Sequence, residues 1–236
     1  MKFDYYTLVA RLLPTYLVIL PLVLLCFILF PDIQNFYGIL AGIFVPFGVT
    51  VLLAQIGRDA GKQKESWLFS SWGGIPTNNM LSNIHSTIDK NSLKRYHQKL
   101  EKLIPGLEIP TEDEERGNPD KALQIFQSCT KYLRENTRDL KKFNLIFSEN
   151  VNYGFRRNLW GMKREGACAA YISSVVSFFI FAYKLNVDNF LFPIALIVGV
   201  ICLAMFLLWM YKVNPKWIKI VADAYAERLI CALDVL

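Results

Sequence analysis

The residues best suited to chemistry lie in one run, Asn152, Tyr153, Gly154, Phe155, Arg156, Arg157, Asn158, Leu159, Trp160, Gly161, Met162 and Lys163. Guanidinium groups bind phosphate as a fork, aromatic faces stack on bases, and an asparagine amide can pair with a base edge. Arg156, Arg157, Asn158 and Lys163 therefore form a candidate site for a nucleotide or nucleic acid. A second stretch, Trp67, Trp72, Thr77, Asn78 and Asn79, offers the same residue types, and Trp72, Asn78 and Asn79 join the candidate set. The same arginines and tryptophans would serve equally as interfacial anchors and positive-inside determinants of a membrane protein.

Other chemistry has little to stand on. The histidines are His85 and His97, with no Cys or acidic partner at metal-ligand spacing, and HExxH, GxSxG and P-loop patterns are absent. No catalytic residue, metal ligand or cofactor is assigned, so the expectation is a non-enzyme. Cys26, Cys129, Cys168, Cys202 and Cys231 form no CxxC pair and read as free, packed thiols.

The elements that must position these residues are dominated by apolar segments. The chain is 53% hydrophobic and 19% charged, and four charge-free windows emerge: Leu12 to Pro31, Ile33 to Gly57, Gly166 to Tyr183, and Asn189 to Tyr211. A hydrocarbon core roughly 30 Å thick needs about 20 helical residues. Each window is long enough, and one soluble domain could not cover four helices apolar on every side. The first window follows Lys2 and Arg11, but its length and the absence of a small-residue cleavage site argue for a retained span over a signal peptide.

Orientation follows from Lys and Arg. Asp32 lies between the first two windows, and Lys184 and Asp188 between the last two. Arg58, Lys62 and Lys64 follow window two, Arg156, Arg157, Lys163 and Arg164 precede window three, and Lys212, Lys216 and Lys219 follow window four. This places 25 of the 26 basic residues on the cytoplasmic side, together with both termini.

The expected fold is an all-α membrane protein with two transmembrane helical hairpins flanking a helical cytoplasmic domain, and a C-terminal amphipathic cytoplasmic helix. Its parts are an N-terminal hairpin over 1–57 (spans about 12–31 and 33–57), a basic domain over 58–165, a second hairpin over 166–211 (spans about 166–183 and 189–211), and a terminal helix over 212–236. The 58–165 stretch holds 19 basic and 14 acidic residues.

Within these parts, Pro14 and Pro21 should bend the first span, and Pro46 and Pro193 should add local bends. Ser173, Ser174 and Ser177, like Gly38, Gly42 and Gly48, either line a pore or allow close helix packing. Residues 66–82, marked by Gly73, Gly74 and Pro76, read as a loop. A helix spans 93–103, and 105–117 reads as a connector whose acidic run Glu112 to Glu115 is solvated. Asn118 with Pro119 starts a long helix whose pattern persists toward the third span. Asn214 with Pro215 starts the terminal one, which is expected to pack on the cytoplasmic domain.

With hairpin, soluble insert and hairpin in order, and NYGFRRNLWGMK before the third span, the chain resembles the four-helix pore-forming membrane effectors of bacterial nucleotide-signalling anti-phage defence systems. It is similar among them to the membrane effector of the Hailong system. The resemblance implies a homo-oligomer, taken as a tetramer, around a pore in the bacterial inner membrane. It implies a nucleotidyltransferase partner that supplies a nucleotide or single-stranded DNA oligomer. That ligand would gate the pore from the cytoplasmic domain, and opening would depolarise the membrane and arrest or kill the host cell. The competing expectation is a non-conducting membrane adaptor whose cytoplasmic domain binds a protein. A transporter is disfavoured because no window contains an ionisable residue and the hairpins show no repeat.

Overall fold

The computed structural model describes residues 4–30, 36–184 and 191–236, with side chains described outside 36–49, 184, 191 and 192. The expectations at Pro31, Asp32, Ile33, Asp188 and Asn189 lie outside the described residues, as do those on the side chains of Gly38, Gly42, Pro46, Gly48 and Lys184. All regular structure among the described residues is helical.

Among the described residues, three helical stretches are long and apolar enough to cross a membrane: Thr7–Leu29, Lys163–Tyr183 and Pro193–Lys212, of 23, 21 and 20 residues and mean hydropathies 2.7, 1.7 and 2.6. They fit a membrane protein. The chain divides into two compact units, residues 1–65 with 154–218, and residues 66–153 with 219–236.

In the first unit, α1 (Leu13–Leu29) follows a wide π-helical turn, Thr7–Leu12. Pro14 explains that turn. It has no N–H for the carbonyl four residues back, and the chain widens so that Leu13 N–H reaches Leu8 O instead. Helix α2 (Phe36–Gln63) packs on α1, and α9 (Lys163–Lys184) packs on both α1 and α10 (Leu191–Leu207). A second π-helical turn, Leu208–Lys212, extends α10. Val18, Leu159, Met162, Ala170, Trp209 and Val213 form one buried cluster, and Ile28, Ala195, Val198 and Cys202 another. The outer faces stay apolar: Ile172, Val175, Phe179, Ile197, Val200 and Leu208 are all exposed. Water would not favour so much bare apolar surface, whereas hydrocarbon would.

The second unit is built from α4 (Pro76–Leu81), α5 (Lys90–Leu103), α6 (Glu112–Gly117), α7 (Pro119–Asn136), and parts of α3 (Glu65–Ser71), α8 (Asn144–Gly161) and α11 (Pro215–Cys231). Its core joins Leu81, Leu100, Phe126, Leu133, Leu229 and Leu233. A fully buried leucine of this kind contributes about 2 kcal/mol. The helix starts are capped locally: Asp89 accepts from Ser92 N–H, Asn118 from Lys121 N–H, and Thr111 and Glu114 form a reciprocal capping box.

Three expectations need correction here. Residues 66–82 are not a loop. Helices α3 and α4 occupy most of the stretch, leaving the turn at 72–75, where Gly73 and Gly74 take φ of 76° and 133°, and the extended Ser82. The acidic run is not wholly solvated. It forms α6, and Glu115 is 5% exposed, accepting the Ser82 hydroxyl through Oε1 and Asn83 N–H through Oε2 at 2.9 Å. Nor does the long helix continue from Asn118 into the third apolar stretch. It ends at Asn136 because Thr137 Oγ1 donates to Leu133 O and Asp139 Oδ1 accepts from Lys141 and Lys142 N–H, side-chain bonds that compete with the helical ladder.

Candidate functional site

The run Asn152 to Lys163 is helical through α8, and Met162 alone separates α8 from α9. Spacing i, i+4, i+7 puts Gly154, Asn158 and Gly161 on one face. That face meets α2 and the π-helical turn that precedes α1. A Cβ on Gly154 would meet Tyr6 Oη at 2.8 Å and Ala10 Cβ at 3.0 Å, and one on Gly161 would meet the backbone of Gly61 at 2.6 Å. Gly61 in turn faces the backbone of Arg157 and Asn158. Two helix backbones approach closely because neither carries a side chain at the crossing.

Asn158 sits at the centre of this face, 1% exposed. Its Nδ2 donates to Ala10 O at 2.7 Å. Ala10 is four residues before Pro14, so the carbonyl that proline deprives of its helical donor receives one from α8. Asn158 Oδ1 accepts from Arg157 Nε at 3.3 Å and Nη2 at 3.1 Å, while Arg157 Nη1 donates to Glu65 Oε1 at 3.0 Å. The Arg157 and Glu65 side chains are only 12% and 18% exposed. Glu65 thus holds Arg157, Arg157 orients Asn158, and Asn158 caps the break in the N-terminal helix.

The remaining cations of the run also have internal acceptors. Arg156 Nη1 donates to Trp217 O at 2.7 Å, and its guanidinium lies 4.5 Å from the Trp217 ring centroid. Lys163 Nζ donates to Met210 O at 3.1 Å and Val213 O at 2.8 Å, at the end of the turn that extends α10. Lys64 Nζ donates to Gly161 O, the last carbonyl of α8, at 2.7 Å. Cations at these two carbonyl-rich ends meet the negative pole of a helix.

Trp72, Asn78 and Asn79 belong to the other unit. Trp72 makes an edge contact with Phe69 at 6.0 Å between ring centroids. Asn79 packs its amide against Gly74. Asn78 is buried, accepts the Thr130 hydroxyl through Oδ1 at 2.8 Å, and has no hydrogen-bond partner for Nδ2 among the described residues. Nearby, buried His97 donates from Nε2 to Leu81 O at 2.8 Å, since a carbonyl can only accept. Burial holds the imidazole pKa below its usual value. Burial likewise pushes the Cys129 thiol up to about 11, which leaves it unreactive at neutral pH.

Ser173, Ser174 and Ser177 are buried inside the first unit. Ser174 Oγ donates to Gly199 O of α10 at 3.0 Å, and the hydroxyls of Ser173 and Ser177 have no partner among the described residues.

Sequence reasoning missed Glu65, Lys64, Tyr6 and the Ala10 carbonyl. Two signals pointed to them: Pro14 obliges the Ala10 carbonyl to find another donor, and Gly154, Asn158 and Gly161 share a helical face. Among the described residues, no group of three or more His, Cys, Asp or Glu is placed to hold a metal ion. No family profile, curated protein or solved structure matches this chain.

Proposed function

We propose that this chain is a multi-pass protein of a bacterial inner membrane, with both termini cytoplasmic, that works as an oligomeric pore opened or closed by a nucleotide or single-stranded DNA oligomer. In this reading α2 is a fourth span, which pairs with α1 as α9 pairs with α10 to give two hairpins. The observation that carries it is the chain of bonds Glu65, Arg157, Asn158 and Ala10 O. It ties the helix leading into α9 to a proline-broken turn of the first apolar helix. A phosphate ligand at the 152–163 run would draw Arg156 and Arg157 from Trp217 O and Glu65, so that ligand binding and release of the Ala10 carbonyl become one event. Such coupling requires unequal ligand affinity for the latched and released states. The resemblance to defence effectors supplies the ligand class, and loss of membrane potential would be the effect on the cell.

A second reading is a non-conducting membrane adaptor. It is favoured by the internal engagement of the same cations, which suits a structural brace as well as a gate. Ion flux from liposomes containing the purified full chain separates the two. The pore reading expects flux that changes on adding oligonucleotide, with binding that weakens steeply as salt rises. Liposomes that pass no ions with or without oligonucleotide would leave the adaptor.

A further inference from the structure

We propose that Arg164 and Lys212 form a headgroup site for an anionic phospholipid at one end of the apolar helices; this rests on the membrane reading above. The two bonds from Lys163 to Met210 O and Val213 O fix the start of α9 to the end of α10. Arg164 follows Lys163 directly, and Lys212 lies between the two acceptor residues, so two helix ends bring both cations to the same neighbourhood. Both side chains are exposed, and neither has a hydrogen-bond or ion-pair partner among the described residues. That sets them apart from Lys64, Arg156, Arg157 and Lys163, whose charges are used internally. Lys216, also exposed, adds a third positive charge four residues further on, past the bend at Val213 and Asn214, and Glu165 beside Arg164 is an exposed carboxylate.

The surface adjoining these cations is apolar. Leu207, Leu208 and Met210 are exposed on α10 and its extension, Tyr171 and Ile172 are exposed on α9, and Tyr211 is 78% exposed beside Lys212. An exposed tyrosine between apolar and basic residues is the pattern of headgroup depth. A guanidinium fork and a lysine point charge suit one phosphodiester, and acyl chains of the same molecule would continue along the apolar faces. A single lipid thus meets both the charge and the grease, whereas a soluble anion would use only the charge.

The full chain is reconstituted into vesicles of phosphatidylcholine mixed with brominated phosphatidylglycerol or brominated phosphatidylcholine. Quenching of tryptophan fluorescence then gives relative lipid affinity. The expected preference for phosphatidylglycerol is about tenfold or more, falling about fivefold for Arg164→Gln or Lys212→Gln and nearly vanishing in the double variant, while Arg164→Lys retains it. Equal quenching by the two lipids, or an unchanged preference in the double variant, overturns the site. Inorganic phosphate that displaces phosphatidylglycerol at millimolar concentration would assign the cations to a free anion and overturn the lipid. Alkaline carbonate distinguishes the two levels of failure. A chain it strips from membranes contradicts the membrane reading, whereas a chain that stays embedded without lipid preference contradicts the headgroup site alone.

Discussion

Asn158 in α8 and Ser173 with Ser177 in α9 are equally buried polar residues of one unit, yet their surroundings differ. Every polar atom of the Asn158 amide oxygen and nitrogen group meets a partner placed by another residue: Ala10 O receives its donor, and Arg157 supplies its acceptor with two N–H groups. The two serine hydroxyls have no partner among the described residues. The first arrangement fixes one geometry, because moving any member strands another in a poorly solvated interior. The second contributes small volume. A small side chain lets a helix approach its neighbours closely whether or not its hydroxyl finds a partner.

The sharpest way to break this contrast is to remove one member of the buried ion pair. Arg157→Ala or Glu65→Ala should cost about 3–5 kcal/mol of stability, because each takes the ion-pair partner from a mostly buried charge. Thermal unfolding of the detergent-solubilised chain measures this, and a double Glu65→Leu, Arg157→Met variant should recover much of the loss. A change below about 1 kcal/mol in either single variant would show that the pair behaves like an exposed one.

Gly161→Ala comes next, at about 1–3 kcal/mol, because its Cβ would meet the Gly61 backbone and that neighbour cannot yield. Gly154→Ala should cost less, since its nearest contact is the far end of the Tyr6 side chain. Asn158→Ala should lose about 1–3 kcal/mol by stranding the Ala10 carbonyl. Pro14→Ala restores a helical N–H to that carbonyl, so the double variant should lose less than the two single losses combined. Strict additivity would mean that Asn158 does not serve the proline break.

Ser173→Ala and Ser177→Ala should be neutral or slightly stabilising, whereas Ser174→Ala should lose about 0.6 kcal/mol with its bond to Gly199 O. A larger loss at Ser173 or Ser177 would reveal a use for their hydroxyls.

The smallest effect is one of pH in the other unit. His97 is held neutral by burial, with its folded pKa below the usual 6.5. Below pH 6.5 the unfolded chain takes up a proton that the folded chain resists, so stability should fall as pH drops from 6.5 toward the folded pKa. His97→Gln should flatten that part of the stability curve; an unchanged slope would place its origin elsewhere.

The amino-acid sequence by itself determined the apolar stretches and the helix starts at Asn118 and Asn214, since hydropathy and capping act over one or a few turns. It also contained the need created by Pro14, because a proline's missing N–H is a covalent fact. Short-range rules misread 66–82, where glycine and proline suggested a loop. Burial of Leu68, Thr77 and Leu81 accompanies two short helices around a four-residue turn. Glu115 likewise looked like one acid among four until Ser82 and Asn83, more than thirty residues away, proved to satisfy its carboxylate.

The same limit governs the arginine-rich run. Residue types show that Arg156, Arg157 and Asn158 can hold phosphate or a base, but a hydrogen-bonding group serves whichever partner the fold brings within about 3 Å. Tertiary structure brought Trp217 O, Glu65 and Ala10 O, from 61, 92 and 148 residues away. Spacing along the chain carries the capacity to bond; distance in space decides how that capacity is used.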